Sequence, residues 1–552
     1  MRTGFTRAGE RQRRDPDLTE TQQATAPGDE SAGDRDGGQA PADWRWAYLL
    51  LEAAAWLGGS LLVFAAFLRV SRAGWVNSDG ANSVLEGEAL VHGHFLLHGW
   101  LIGDATFYFF ELPLNGIAQL MLGAGNYAVH VASALVYLLV AISAAALAVS
   151  GSRGPSRAVR AAVIVIMMAA PLLSIPGLRL MVEEPDHIGT AVFIFVSFLL
   201  VERLPERRFT PPLLCAILFA GQFGDATVRF VAVPAIVLVC GYRALAQRKL
   251  RSPDTWLAAA AVASVPLALL ARVIVIHLGG YWAPQPRTRL VSPALWPHHV
   301  AITWNNLRQL YGAAWTPYAR MGHLGVAFAM VCLLVSAAAI VWVVCTWLRR
   351  TRAEQMLVVA IVVNIGAYIV TVLPTIRNSH ELLMVLPSGA VLAARAFVPA
   401  RIGNAFVALA AVAATALAAA LPLASATIRP VDHPNALQLI HWLRAHKLNY
   451  GLGGYWDAAS TTVQSGSRVH VLTVNFGKVG VGRPNYEIYL PDYDPAQHDA
   501  RFAVTDLRQK YTIKAFEQTF GKPSESLRVG NWSVLVYNKN LLRELPPRHL
   551  TR

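Results

Sequence analysis

Charge is scarce in this 552-residue chain: Asp, Glu, Lys and Arg make up 15% of it, against 54% hydrophobic residues. With a positive mean hydropathy, that balance excludes an ordinary soluble protein of this length. Only four cysteines occur, Cys215, Cys240, Cys332 and Cys345, all inside apolar runs. They make neither a disulfide framework nor a zinc spacing, and a thiol in such surroundings behaves as a small hydrophobe. No repeat of solenoid or propeller period is present. The net charge is +14, yet the basic residues are scattered and no stripe with interleaved aromatics forms, so a nucleic-acid surface is excluded. Gly451-Leu452-Gly453-Gly454-Tyr455-Trp456-Asp457 has the wrong spacing for a dinucleotide fingerprint and reads as a turn or a sugar-stacking aromatic loop. Ser465-Gly466-Ser467 lacks the strand, elbow and helix of a hydrolase nucleophile.

What the chain does have is apolar runs. Crossing about 30 Å of hydrocarbon takes roughly 20 residues, and candidates lie near 46–70, 127–149, 160–178, 188–201, 212–224, 229–242, 255–276, 323–347, 356–375, 382–398 and 403–424. The expected fold is therefore a polytopic α-helical membrane protein of about eleven spans. Basic loops at Arg153/Arg157/Arg160, Arg203/Arg207/Arg208, Arg243/Arg248/Lys249/Arg251, Arg349/Arg350/Arg352 and Arg395/Arg401 alternate with less basic ones. Placing them inside puts the N-terminus in the cytoplasm and the C-terminus outside the cell membrane. It also makes 106–125 an interfacial segment, since Glu111, Pro113, Asn115 and Gln119 suit a lipid-exposed span poorly. Residues 1–44 carry almost no large apolar side chain and read as a disordered cytoplasmic tail. The run that follows is too long for a signal-peptide core. Residues 45–424 form the membrane module, with a long first external loop at 71–126. Residues 425–552 change to a globular composition and read as a small extracytoplasmic α/β domain, with an amphipathic helix around Leu437, Ile440 and Leu443 and a hairpin turning at Gly530-Asn531.

Two acidic motifs close apolar runs on the same predicted side. Asn77-Ser78-Asp79-Gly80 begins the long external loop, and a loop this long in a compact bundle is usually functional. A carboxylate at headgroup height meets both a lipid-borne substrate and a water-soluble acceptor, and can take a proton from an attacking hydroxyl; Asp79 equally suits the cap of a helix starting near Gly80. The second motif, Glu183-Glu184-Pro185-Asp186-His187, joins the third and fourth runs. Glu183, Asp186 and His187 have the oxygen-rich character of a Mg²⁺ or Mn²⁺ site holding phosphate, or Asp186 simply caps the next helix. Arg229, after Asp225, and Arg377, before His380, are cations for a phosphate or partners of nearby carboxylates. His94 and His98, four apart, share a face if helical.

These motifs resemble the GT-C superfamily of membrane glycosyltransferases, which includes the aminoarabinose transferases and the protein O-mannosyltransferases. Asp79 matches the acidic residue near the start of their first external loop, Asp186 the acidic residue between the third and fourth spans, and Glu111-Leu112-Pro113 their Pro-containing interfacial helix. The pattern Asn-Ser-Asp-Gly and Pro-Asp-His-Ile-Gly is also similar to one in actinobacterial membrane proteins, which implies no activity. The GT-C resemblance implies inverting sugar transfer from a polyprenyl-phosphate sugar to a lipid, glycan or protein acceptor of the cell envelope. Asp79 would be the base; Asp186 with Glu183, Glu184 or His187 would bind metal or acceptor; Arg229, Arg377 and His380 would contact substrate. The alternatives are a lipid-linked substrate transporter or flippase, which inverted repeats and helices broken at mid-membrane would support although the ionisable residues here gather at one face, and an inactive GT-C-like scaffold.

Overall fold

The computed structural model describes residues 42–123, 125–183, 187–249, 251–284, 289–315, 322–376, 378–425, 432–477, 480–507 and 510–547. Most of the expected tail, 1–44, lies outside these. The chain divides into two units at residue 57. The described part of the first, residues 42–57, is helical and belongs to α1 (Ala42–Ser71). Everything below concerns the second unit.

After α1 come two short helices, α2 (Ser78–Val91) and α3 (Glu111–Leu122), with a two-residue strand β1 (Trp100–Leu101) between them. The bundle continues with α4 (Asn126–Val149), α5 (Pro155–Ala169), the single turn α6 (Ile175–Leu178), α7 (Thr190–Arg203), α8 (Thr210–Gly224), α9 (Thr227–Ala246) and α10 (Pro253–His277). It closes with α11 (Trp296–Leu310), α12 (Gly322–Cys345), α13 (Arg352–Val370), α14 (Val385–Phe397) and α15 (Ala405–Ser425). Among the described residues six segments are long and apolar enough to cross a membrane: α4, α5 with its continuation to Leu173, α9, α10, α12 and α13. The expected count of eleven is not reproduced. At 1.5 Å per residue the 14 residues of α7 and 15 of α8 reach only about 21–23 Å, and the 13-residue α14 is buried from Val385 to Arg395.

The five basic loops meet at one end of the bundle. Arg395 donates to the carbonyls of Leu147 (2.9 Å) and Ser150 (3.1 Å) and to Glu202 Oε1 (2.9 Å). Arg352 grips Asp254 with two bonds of 2.9 and 3.1 Å, and Arg243 reaches Gln355 Oε1 and the Arg350 carbonyl. Arg395, and Arg160 through the carbonyls of Ala148 and Val398, close the C-terminal carbonyls of helices, which lack partners of their own and carry the negative end of the macrodipole. The loops bearing the acidic motifs lie at the other ends of the same helices.

At that acidic end α2 and α3 cross in backbone contact. A Cβ on Gly87 would lie 2.6 Å from the Leu112 carbonyl, and one on Gly116 would lie 2.3 Å from the Gly87 carbonyl. At 12 residues α3 is too short to span; it buries Asn115 and Gln119 and exposes Ile117, Leu120, Met121 and Leu122.

The C-terminal domain starts with α16 (Pro434–Ala445), which buries Leu439, Ile440 and Leu443. It holds a six-stranded sheet built from β2 (Tyr450–Gly454), β3 (His470–Gly477), β4 (Gly480–Gly482), β6 (Phe502–Asp506), β7 (Glu525–Val529) and β8 (Trp532–Val536). The strand order is 4-3-2-6-8-7, with β3, β2 and β6 parallel and the rest antiparallel. Gly530, at φ 60°, turns the β7–β8 hairpin. Helices α17 (Tyr455–Gln464) and α18 (Lys510–Phe520) cover the sheet. The domain joins the first loop at two places. A short strand β5 (Ile488–Tyr489) pairs with β1, and Ala459 and Val463 of α17 pack on Val76, Ala81, Val84 and Val129.

Candidate functional site

Asn77, not Asp79, caps α2: its side chain accepts from the Gly80 amide at 3.0 Å. Asp79 stands in the first turn, where the helix dipole favours a carboxylate. The Tyr455 hydroxyl donates to its Oδ1, and the same hydroxyl bonds Glu487 Oε2. Asn82, one turn along α2, also donates to that Glu487 oxygen at 3.0 Å. The phenol has one proton, so it serves one carboxylate at a time. Burial, then the charges of Glu487 and Asp79, push the Tyr455 phenol far above its ordinary pKa and keep it neutral. Glu86, further along α2, is buried, and its carboxyl is pushed up by burial and by Glu487.

A second cluster is built on Asp225, which ends α8. Its Oδ2 accepts from His187 Nδ1 at 2.8 Å and from Thr190 Oγ1 at 2.5 Å, and its Oδ1 from the Thr227 amide at 2.8 Å. Burial pushes this carboxyl up, but the His187 imidazole and the two other donors outweigh it and leave the group below its ordinary range. The His187 ring lies parallel to that of His380, with centroids 5.8 Å apart, and Glu381 Oε1 is 3.9 Å from His380 Nε2. Phe107 meets His187 edge-on; its loop is held by the Thr106 and Phe107 amides, which both donate to the Gly224 carbonyl. The buried Glu111 carboxylate packs so closely on Gly189 that a Cβ there would fall 2.0 Å from Glu111 Oε1. Phe107, His187 and Glu487 all hold left-handed backbone, at φ 47°, 51° and 51°. Such strain in residues other than glycine persists where the surrounding structure imposes it.

Arg229 does not pair with Asp225. Its guanidinium lies over the Phe230 ring. Arg272, in the last turns of α10, is 8% exposed, and its buried Nη2 has no hydrogen-bond partner among the described residues. A buried guanidinium with an open donor makes a natural seat for an anion.

Of the residues expected from sequence, Asp79, His187, Arg229 and His380 are thus placed, and His187 and His380 come together. Glu184, Asp186 and Arg377, and the side chain of Glu183, lie outside the described residues, so only His187 of the expected Mg²⁺ or Mn²⁺ set has a described side chain. A π-helical turn, Arg179–Glu183, leads into that motif. His94 and His98 share no helix face, because α2 ends at Val91 and turns follow it; His98 Nδ1 bonds the Gly279 carbonyl. Sequence reasoning missed Glu487 and Arg272 altogether. Tyr455 lay within the aromatic segment singled out above, but nothing local connected it with Asp79, 376 residues away.

No family model and no curated protein matches the sequence. Among solved structures the chain is similar to ArnT from Cupriavidus metallidurans in the apo state, with 13% identity and a TM-score of 0.54 over 92% of this chain and 100% of that one. It is also similar to the same protein bound to undecaprenyl phosphate, with 12% identity and a TM-score of 0.47 over the same shares. The chain therefore has the fold of this ArnT structure.

Proposed function

We propose that the protein is a glycosyltransferase that moves a sugar from a polyprenyl-phosphate donor to a lipid, glycan or protein hydroxyl at the outer face of the cytoplasmic membrane. The observation that carries this reading is Asp79 accepting a hydrogen bond from a hydroxyl group, the Tyr455 phenol, the contact a general base needs with the group it deprotonates. The fold of the ArnT structure supports it.

In the reaction an acceptor hydroxyl takes the place of the Tyr455 phenol and gives its proton to Asp79. Its oxygen bonds to the anomeric carbon as the bond from that carbon to the phosphate oxygen breaks. The polyprenyl phosphate leaves with the electron pair. A single displacement inverts the anomeric centre. Arg229 and Arg272 hold the phosphate, on which negative charge grows as the bond breaks. Trp456, beside Tyr455 and 58% exposed, offers an apolar face on which a sugar ring of the acceptor can stack. Asp186 keeps its proposed place as the second acidic residue.

The test is transfer and hydrolysis from a panel of polyprenyl-phosphate sugars by the protein in nanodiscs. Asp79→Asn should lower turnover about 10²–10⁴-fold with donor binding retained, and Asp186→Asn should also impair it. Wild-type turnover by Asp79→Asn would sink the assignment of the base. Tight donor binding without any turnover would favour a transporter or scaffold.

A further inference from the structure

We propose, building on the glycosyltransferase reading, that the acceptor is an uncharged glycan, one sugar of which is seated in a cavity between α2, the β1–β5 pair and the C-terminal domain. The cavity has a volume of about 50 Å³. That is room for roughly three to five water-sized groups, the size of one hydroxyl-bearing edge of a sugar ring. One wall is the edge of β3. Strand β4 covers that edge only from Asn475 to Gly477, so His470 to Thr473 face the cavity instead of a strand. The carbonyls of Val471 and Thr473 are already taken by the hydroxyls of Thr462 and Tyr493, which leaves side chains to meet a ligand.

Those side chains suit a polyol. Asp492 and His470 line the cavity, and among the described residues the Asp492 carboxylate and the His470 ring take part in no hydrogen bond. The Tyr450 hydroxyl bonds the Asp492 backbone carbonyl instead, and the His470 ring stacks on that of Tyr450. Burial pushes the Asp492 carboxyl up, against the opposing pull of His470 and His498, as befits a carboxylate short of donors. Trp100 and Tyr489 are cross-strand neighbours with ring centroids 5.2 Å apart. Both line the cavity half-buried and offer the apolar surface on which the C–H side of a sugar packs. Glu487 joins the cavity to the proposed base: it lines the cavity, and its Oε2 bonds the Tyr455 phenol that also bonds Asp79. A sugar held here stands one side chain away from the place where an acceptor hydroxyl replaces that phenol. Charge sets the class. The described lining holds two carboxylates, Glu487 and Asp492, one imidazole, and neither lysine nor arginine. A carboxylate accepts from two adjacent hydroxyls at once, whereas a phosphate on the acceptor would meet like charge.

The full-length protein in nanodiscs, without donor, is titrated calorimetrically with methyl glycosides and disaccharides of neutral hexoses and pentoses, with glucose 6-phosphate, and with a serine-containing peptide. A neutral saccharide should bind one per chain, and glucose 6-phosphate and the peptide should bind at least about tenfold more weakly, the effect of losing or opposing one charged hydrogen-bonding group. Asp492→Leu removes that group, and Leu85→Trp fills the cavity from α2; each should weaken the saccharide by about tenfold or more in protein that elutes like wild type and still binds polyprenyl phosphate. In transfer assays Asp492→Leu should raise the acceptor KM and leave kcat within a few-fold. Wild-type protein that binds none of the saccharides would overturn the seat whether or not the variants fold. Tighter binding of glucose 6-phosphate, or affinity unchanged in both variants, would do the same. Transfer to a lipid or peptide acceptor without saccharide binding would leave the glycosyltransferase reading standing and sink the seat, whereas saccharide binding without transfer from any donor would keep the seat and sink that reading.

Discussion

Asp79 and Glu487 share one phenolic proton in this structure, and Tyr455 occupies the side of Asp79 from which an acceptor hydroxyl would approach. Tyr455→Phe keeps the ring that packs on Trp456 and Tyr486 and deletes only the competing hydroxyl. Steady-state kinetics should then show a lower acceptor KM, with kcat changed by no more than a few-fold. A collapse of kcat would instead make the phenol part of the proton path. Glu86 gives the residue scale a pH signature. Its native pKa is raised, so between its unfolded value, about 4.3, and its native value the native state holds a proton that the unfolded state has lost. Its contribution to stability is whole below the unfolded pKa and is lost as pH rises through the native one. Glu86→Gln should flatten the fall in melting temperature on the alkaline side; a wild-type curve with no such fall would contradict the sign.

Among the elements, the α2–α3 crossing depends on having no side chain at Gly87 and Gly116. Gly87→Val should separate these helices and cost about 1–3 kcal/mol, as overpacking does; hydrogen exchange in α2 should rise before that of the long helices. The same two helices show how far sequence reaches. Hydropathy summed over some 20 residues identifies α4, α10 and α12, each apolar and 24 or 25 residues long. It cannot separate a span from a 13-residue helix such as α14, because an apolar helix surrounded by protein has the composition of one surrounded by lipid. The change of composition after 425 announced a sheet domain, since the alternation around Val469–Val474 and the Gly530-Asn531 turn are local signals. The partners of Asp79 were illegible for the opposite reason. Asn82 and Glu487 are 405 residues apart, and only the tertiary fold brings them within a hydrogen bond. His187 and His380 were each noted for their chemistry, while their stacking had no trace in the chain.

On the scale of the whole molecule the two ends of the bundle are held differently. The basic end is laced by ion pairs such as Arg352 with Asp254, whose carboxylate side chain is 2% exposed. Removing one partner leaves a buried charge, so Arg352→Ala should destabilise the protein by roughly 3 kcal/mol, read as a fall in melting temperature while Arg352→Ala/Asp254→Ala recovers part of the loss. The acidic end is held by the C-terminal domain, through β1 with β5 and through α17 on α2. That closure has a consequence in time. The ribosome completes Asp79 376 residues before Tyr455, an interval of about 20–75 s at 5–20 residues per second. For that interval the nascent chain carries its proposed base without the cover that Tyr455 later places over it, and the site is assembled only once the C-terminal domain has been made.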